Sequence, residues 1–340
     1  MRKGSPALVV LLAFVLAPMV LSTHQMDVFL QAFFLGALGL SLNLLVQFSG
    51  LPSLAHGAFF GLGAYTAGVL SVRYGVRNLW AALTIAIVVT ALTAVVFGIV
   101  SLRTRGPYFL IITLSLTAMA WGLAVKWRSF TGGDDGLLGV RRPSLWPIPM
   151  QVDSRPKSYF IGLAGLVLVG AVVAMIVRSP VGHILVGIRD SESRMEALGY
   201  HTWLYRLIAF AIAGALAAIP GALSTYHNLF VSPSDTHFLV SARALLVVIL
   251  GGGTVWGPAG AAIAVAWLEE LFTNLTDHWL VLLGLVYICV ALFDPRRLST
   301  FLFRGGTIAH GSPQPAAAAG VRLAPGTEPT QADTVTEPAR

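Results

Sequence analysis

Gly187-Ile188-Arg189-Asp190-Ser191-Glu192-Ser193-Arg194-Met195-Glu196-Ala197-Leu198-Gly199 decides how this chain is read. Five of these thirteen residues are charged, whereas Ser158 to Val177 before them and Leu207 to Tyr226 after them carry no charge. A bilayer core of about 30 Å selects uncharged runs of about 20 residues. A charged stretch pinned between two such runs cannot remain in hydrocarbon. It therefore marks a membrane face, where it can meet a soluble partner.

Composition agrees. The 340 residues are 56% hydrophobic and 11% charged, with a mean hydropathy of +0.78. Soluble domains carry about a quarter charged residues, so the sequence indicates an all-α polytopic membrane protein. The net charge of +7 is spread over loops, with only three lysines (Lys3, Lys126, Lys157). Nucleic-acid binding would want clustered basic residues instead. The single cysteine, Cys289, can form no internal disulfide.

Arg2-Lys3 followed by Pro6 to Ser22 reads as an uncleaved first span, with a signal sequence as the rival. Further spans are expected at Val28 to Phe48, Pro52 to Val72, Leu79 to Leu102, Gly106 to Val125, Ser158 to Val177, Leu207 to Tyr226, Phe238 to Leu250, Val255 to Phe272 and His278 to Phe293. That makes about ten transmembrane or re-entrant helices. Phe238 to Leu250 is short and includes Arg243, which suits a half-helix. With the amino terminus inside, Arg103, Arg105, the 178–206 loop and Arg296-Arg297 fall on the cytoplasmic side. The basic residues favour that orientation modestly, and the Lys126 to Lys157 loop weakens it. The expected divisions are 1–27 as first span, 28–297 as transmembrane domain, 183–199 as a cytoplasmic helix within it, and 298–340 as a disordered tail.

Within 187–199, Asp190 or Ser191 can cap a helix, Asp190 and Arg194 are an i,i+4 pair, and Gly199 can close it in a left-handed conformation. Ile188, Met195 and Leu198 predict one apolar edge. A protein groove or a headgroup layer would receive that edge equally well.

Two Gly/Pro interruptions stand out. Gly50-Leu51-Pro52 precedes a helix in which Gly57 and Gly61 form a GxxxG pair, continued by Ala64 and Gly68. Tight helix packing is the main reading of that face; a broken helix lining a passage is the functional one. Gly251-Gly252-Gly253 through Pro258 repeats the pattern and hints at an internal repeat around a central pathway. Polar groups expected at membrane depth are Asn43, Gln47, Ser53, His56, Thr113, Ser115 and Thr117. His56 reads as a satisfied buried group rather than a proton carrier. The outer Thr131-Gly132-Gly133-Asp134-Asp135 turn is either solvated or a docking point for a partner.

There is no HExxH, no paired-Cys metal site and no phosphate-cradling Gly-rich loop ending in Lys and Ser or Thr. No metal or cofactor is expected in this chain, which cannot hydrolyse ATP alone. An ion-driven secondary transporter of small solutes is the alternative, but the spans lack mid-depth acidic groups; Glu269 and Glu270 lie near an end. A membrane scaffold would need neither the charged helix nor the paired breaks.

From about residue 36 to 297 the chain resembles the permease subunits of the branched-chain amino-acid ABC importers. The resemblance is carried by Leu40-Ser41-Leu42-Asn43-Leu44 running into Ser49-Gly50-Leu51, and by the Gly57 to Tyr65 stretch. Arg105-Gly106-Pro107-Tyr108-Phe109, Thr131 to Leu137, Ile188-Arg189-Asp190 through Ala197-Leu198-Gly199, and Val248-Ile249-Leu250-Gly251-Gly252 complete the order. It implies a multi-pass subunit of a bacterial inner membrane. Its implied partners are a second related permease, two ATP-binding subunits carrying ATP and Mg, and a periplasmic solute-binding protein. The resemblance further implies that 188–199 docks on the ATP-binding subunit, with Ile188, Met195 and Leu198 as anchors and Arg189, Glu192, Arg194 and Glu196 orienting the fit. Asp134 and Asp135 would then meet the binding protein. This sequence departs from the wider ABC-permease pattern, with Ser193 after Glu192 and Gly199 seven positions on, which leaves individual contacts open. Branched-chain amino acids, urea, short amides and aromatic acids remain open as solutes.

Overall fold

Ser22 starts the first long helix by a reciprocal cap. Its Oγ accepts from the Gln25 backbone N–H at 3.3 Å, and Gln25 Oε1 accepts from the Ser22 N–H at 3.0 Å. The computed structural model describes residues 13–19, 21–145 and 154–275, with 281, 284 and 285. The expected final span, His278 to Phe293, and the 298–340 tail lie outside the described residues apart from those last three. Residues 6–12 and 20 of the expected first span lie outside them too.

Helix α1, Thr23–Asn43, widens into a π-helical turn at Leu44–Phe48. It is followed by α2 (His56–Arg73), α3 (Leu79–Ser101), α4 (Pro107–Lys126) and α5 (Arg155–Arg178). Then come α6 (Pro180–Asp190), α7 (Glu192–Ala197), α8 (Thr202–Asn228), α9 (Phe238–Gly251) and α10 (Gly257–Leu275). Among the described residues, five helices are long and apolar enough to cross a membrane: Thr23–Phe48, Leu79–Ser101, Pro107–Lys126, Arg155–Arg178 and Thr202–Asn228. At about 1.5 Å per residue, α9 with its 14 residues reaches about 21 Å, short of a ~30 Å core.

The only sheet among the described residues is a two-residue antiparallel pair, Leu137–Leu138 with Phe230–Val231. It ties the turn after α4 to the loop after α8.

Packing separates interior helices from outward ones. Most of the Thr23–Phe48 span is buried, whereas α3 and α4 are largely exposed. On α3 the small residues Ala82, Ala86, Thr90, Ala94 and Gly98 recur every fourth position and are buried. Trp80, Ile85, Val88, Leu92 and Val96 point outward. Helices α2 and α8 meet at backbone distance: a β-carbon on Gly63 would lie 2.5 Å from the Ala218 carbonyl oxygen. Lipid supplies no hydrophobic drive between helices, so close approach through small residues holds this centre together. Phe59, Phe109 and Phe210 fill the space beside it, with Phe59 and Phe210 edge-to-face at 5.6 Å.

Candidate functional site

The charged segment folds as two helices, not one. Ser179 caps α6 through its Oγ, which accepts from Gly182 N–H at 3.4 Å, and Pro180 occupies the first turn. Ser191 then adopts an extended backbone (φ −162°, ψ 99°) and α7 begins anew. Asp190 is thus the last residue of α6 rather than a cap, and Ser191 caps by backbone geometry with no side-chain hydrogen bond. At the far end Tyr200 N–H reaches the Met195 carbonyl at 3.1 Å and Gly199 N–H the Glu196 carbonyl at 2.9 Å. With Gly199 at φ +87°, this is a Schellman closure, as the sequence predicts.

The break at Ser191 overturns two expectations. Asp190 and Arg194 no longer share a helical face, and Asp190 instead accepts from Arg189 at 2.8 and 3.0 Å. Nor do Ile188, Met195 and Leu198 form one edge: Ile188 is 1% exposed and Leu198 67%. Met195 folds back over Gly187, where a β-carbon would lie 2.8 Å from its sulfur. Leu198, Arg194 and Glu196 are exposed, as are Asp190, Ser193, Ala197 and Gly199.

Glu192 faces inward. Its carboxylate accepts from Arg206 Nη1 at 2.7 Å and lies 3.6 Å from Arg105 Nη2. Thr202 Oγ1 donates to Glu196 at 2.9 Å and approaches Glu192 at 3.4 Å. The segment is thereby tied to the first turns of α8 and to the α3–α4 connection. Thr202, Arg206 and Arg105 are partners of Glu192 that sequence spacing did not reveal.

Arg189 makes the remaining tie. Its guanidinium donates to the Gln47 carbonyl in the π-helical turn, and its stem covers Gly50, which sits at φ +68°. A wider turn leaves carbonyls without helical partners, and here an arginine takes one. The break that follows is held from several sides. Leu54 N–H donates to Thr113 Oγ1 at 3.1 Å, and the Leu54 carbonyl accepts from Thr117 at 2.7 Å and Ser241 at 2.6 Å. Ser241 also accepts from Gly57 N–H at 2.6 Å. Ser53 stays local, accepting from Ala55 N–H at 3.1 Å.

Gly57 and Gly61 pack against the segment leading into α9, Gly61 directly on Thr236, in line with close helix approach. The two Gly interruptions come together as well. Asn43 Nδ2 donates to the Thr254 and Val255 carbonyls at 3.1 and 3.4 Å, just beyond Gly251 and Gly252, where α9 ends. Asn43 and Thr113 therefore serve the two breaks, while Ser115 bonds its own helix at Ile111. The expectation that His56 is satisfied fails: it is fully buried, and neither ring nitrogen has a hydrogen-bond partner among the described residues. Ser241 is the polar residue that sequence reasoning missed, a lone hydroxyl in an apolar run.

At the other end of the bundle the Thr131 hydroxyl is close to the Ala124 and Trp127 carbonyls, at 2.6 and 2.8 Å. Gly132 at φ +83° and a 3-10 turn over Gly133–Asp135 follow, leaving Asp134 and Asp135 exposed. Arg73 fixes this turn by donating to the Phe130 carbonyl at 2.9 Å. Nearby, burial pushes the Asp235 carboxyl above its ordinary range, opposed in part by the Ser232 N–H that donates to it at 3.0 Å.

A bundle of membrane-crossing helices whose charged segment is clamped to interior helix breaks defines a multi-pass membrane protein built around those breaks. The family model described as "Branched-chain amino acid transport system / permease component" matches residues 26–291, and the chain belongs to that family. It is thus a permease component of a transport system. The chain is 29% identical over 303 residues to the high-affinity branched-chain amino acid transport system permease protein LivM of Salmonella typhimurium (strain LT2), covering 83% of this chain and 71% of that protein. Against LivM of Escherichia coli (strain K12) it is 29% identical over 314 residues, 86% of this chain and 74% of that one. The autoinducer 2 import system permease protein LsrC of Escherichia coli (strain K12 / DH10B) is 26% identical over 200 residues, 55% of each. No solved structure matches the chain.

Proposed function

We propose that this chain is the membrane-spanning subunit of an ATP-driven importer that passes branched-chain amino acids, or small solutes of that class, from a periplasmic binding protein to the cytoplasm. In this reading it crosses a bacterial inner membrane about ten times beside a second related permease, and the 183–199 segment lies in the cytoplasm against one of two ATP-binding subunits. ATP and Mg belong to those subunits. Leu198, Arg194 and Glu196 offer the contact, while Glu192 and Arg189 carry its movement inward. The Thr131–Asp135 turn receives the binding protein on the opposite face.

One observation carries this reading: Arg189 in the charged segment is bonded to Gln47 and covers Gly50, so displacement of the segment acts directly on a break between helices. A surface helix resting on headgroups needs no such tie. The test is co-purification with an ATP-binding partner, then ATPase rate and leucine uptake for Leu198→Asp with Arg194→Glu. Both residues are exposed, so the fold tolerates the change; loss of partner capture and uptake is expected. Uptake that follows an ion gradient and ignores ATP would overturn the proposal in favour of secondary transport.

A further inference from the structure

Where α1 and α5 begin and α8 ends, a cavity of about 300 Å³ opens between Asp27, Arg142, Arg155, Ser158, Tyr226 and His227. That volume lies at the lower end of the range for small-ligand sites. Helices α1, α5 and α8 are each long and apolar enough to cross a membrane, and the lining residues stand near their ends. The chamber therefore lies at the depth of lipid headgroups, whichever way the chain is oriented. Two arginines against one carboxylate leave its lining net positive with His227 neutral. Ser154, which also lines it, starts the 24-residue α5 without a side-chain cap bond. The positive end of a long helix thus borders the chamber.

Tyr226 points to a ligand independently. It is 6% exposed, lines both the chamber and the apolar cleft beside it, and its enclosed hydroxyl has no hydrogen-bond partner among the described residues. A buried donor left unmated is costly, and an acceptor oxygen in the chamber removes that cost. The Arg155 fork, the N–H groups of a helix start and a phenolic hydroxyl together ask for several oxygens on one centre, as a phosphate group has. Asp27 is ion-paired with Arg155, and its other oxygen lies 3.8 Å from His227 Nε2. It competes with a bound anion for the guanidinium, but the Arg155 side chain is 56% exposed and its fork has further N–H groups.

The surroundings favour a lipid as the source of that phosphate. Leu79 of α3 and Ile161 of α5 line the apolar cleft. Their neighbours Trp80 and Phe160 are 50% and 42% exposed, and tryptophan is enriched where hydrocarbon meets headgroups. The cleft, of about 20 Å³, holds no chain. Acyl chains pass outside it, over Trp80 and Phe160.

We infer that this chamber binds a phosphate group, carried there by an anionic phospholipid of the adjoining leaflet. Arg142, Arg155 and the start of α5 hold the phosphate, Tyr226 donates to one of its oxygens, and the chains lie over Trp80 and Phe160. A lipid bound in this way clasps the ends of α1, α5 and α8 together. The site is independent of what the chain transports.

The test measures equilibrium binding of radiolabelled phosphatidylglycerol to the purified, delipidated protein in a neutral detergent. Saturable binding is expected, with diacylglycerol, which lacks the phosphate, competing about tenfold more weakly. Arg142→Gln and Tyr226→Phe should each weaken binding about fivefold. Arg142 is exposed and the Tyr226 hydroxyl is unmated, so neither change undoes the fold. Asp27→Asn removes the competing carboxylate and should tighten binding about threefold, a gain that misfolding does not produce. Phosphatidylglycerol should also raise the unfolding midpoint of the wild type more than that of Tyr226→Phe. Unchanged binding in Arg142→Gln and Tyr226→Phe, or weaker binding in Asp27→Asn, would overturn the chamber as the site. Competition by inorganic phosphate as strong as that by unlabelled lipid would overturn the lipid as the source and leave a free-anion site. Loss of solute-binding-protein capture by these variants, with lipid binding unaltered, would assign the chamber to a protein partner instead.

Discussion

The stem of Arg189 lies against the α-carbon of Gly50: a β-carbon at Gly50 would sit 2.7 Å from Arg189 Cγ. The two residues are far apart in sequence, one in the charged segment and one in the break after α1. Gly50 satisfies two demands at once, a backbone at φ +68° and room for an arginine to reach the Gln47 carbonyl. Any side chain there meets both penalties.

Gly50→Ala is therefore expected to lower stability by at least the roughly 1–2 kcal/mol that a left-handed backbone costs an L-residue, and to push Arg189 off Gln47. Leucine uptake should fall while the protein still assembles. Arg189→Met, which keeps the stem and loses the guanidinium, should lower uptake with a smaller loss of thermal stability. Thermal unfolding in detergent alongside uptake separates the two effects; unchanged uptake in both variants would show that the contact transmits nothing.

Glu192 supports a second prediction. Its ion pair with Arg206 is enclosed, the side chains being 19% and 17% exposed. Exposed pairs contribute under about 1 kcal/mol, and breaking a fully buried pair costs about 3–5 kcal/mol. Glu192→Ala and Arg206→Ala should each fall between those limits, and the double variant should cost less than their sum. A double-mutant cycle on thermal stability gives the coupling; additive losses would mean the pair contributes nothing as a pair.

These relationships explain what sequence could and could not convey. Uncharged runs flanked by charge locate the long helices because hydrocarbon tolerates little else, and Leu79–Ser101 ends within one residue of its expected bound. Gly199 was legible because a left-handed closure favours glycine whatever surrounds it. The break at Ser191 was not, since serine suits either a cap or a helix interior and only tertiary packing decides. Nor could spacing show that Glu192 reaches across a turn to Arg206, or that Ser241 bridges Leu54 and Gly57. Both join segments brought together by folding. Asp27, Arg155 and His227 are likewise unremarkable singly and meet only where α1 and α5 begin and α8 ends.

Asp235 gives a pH prediction with a definite sign. Its carboxyl titrates above the ordinary 3.8 in the folded protein, chiefly because it is buried. Between the unfolded and folded values the folded state holds the extra proton, so stability falls as pH rises through that window. Below the unfolded value both states are protonated and the effect vanishes. Asp235→Asn keeps an oxygen to accept from Ser232 N–H but carries no charge, so it should flatten the decline. Thermal unfolding at several pH values from about 3 to 7 checks this; an unaltered slope in Asp235→Asn would assign the dependence to other groups.

His56 gives the final prediction. It is fully buried beside Phe59, ring centroids 5.7 Å apart, with both nitrogens unmated among the described residues. An unsatisfied buried polar group costs about 1–3 kcal/mol, and an apolar replacement of similar size removes that cost. His56→Leu is therefore expected to raise thermal stability by up to about that amount, a direction opposite to most core substitutions. Retained uptake together with the gain would mark His56 as a packing residue that the cycle does not use. Raised stability with lost uptake would mean that the ring nitrogens find their partner in another state of the transport cycle. Lowered stability in both His56→Leu and His56→Phe, which differ in shape and so separate misfit from a lost hydrogen bond, would contradict the reading of His56 as unsatisfied.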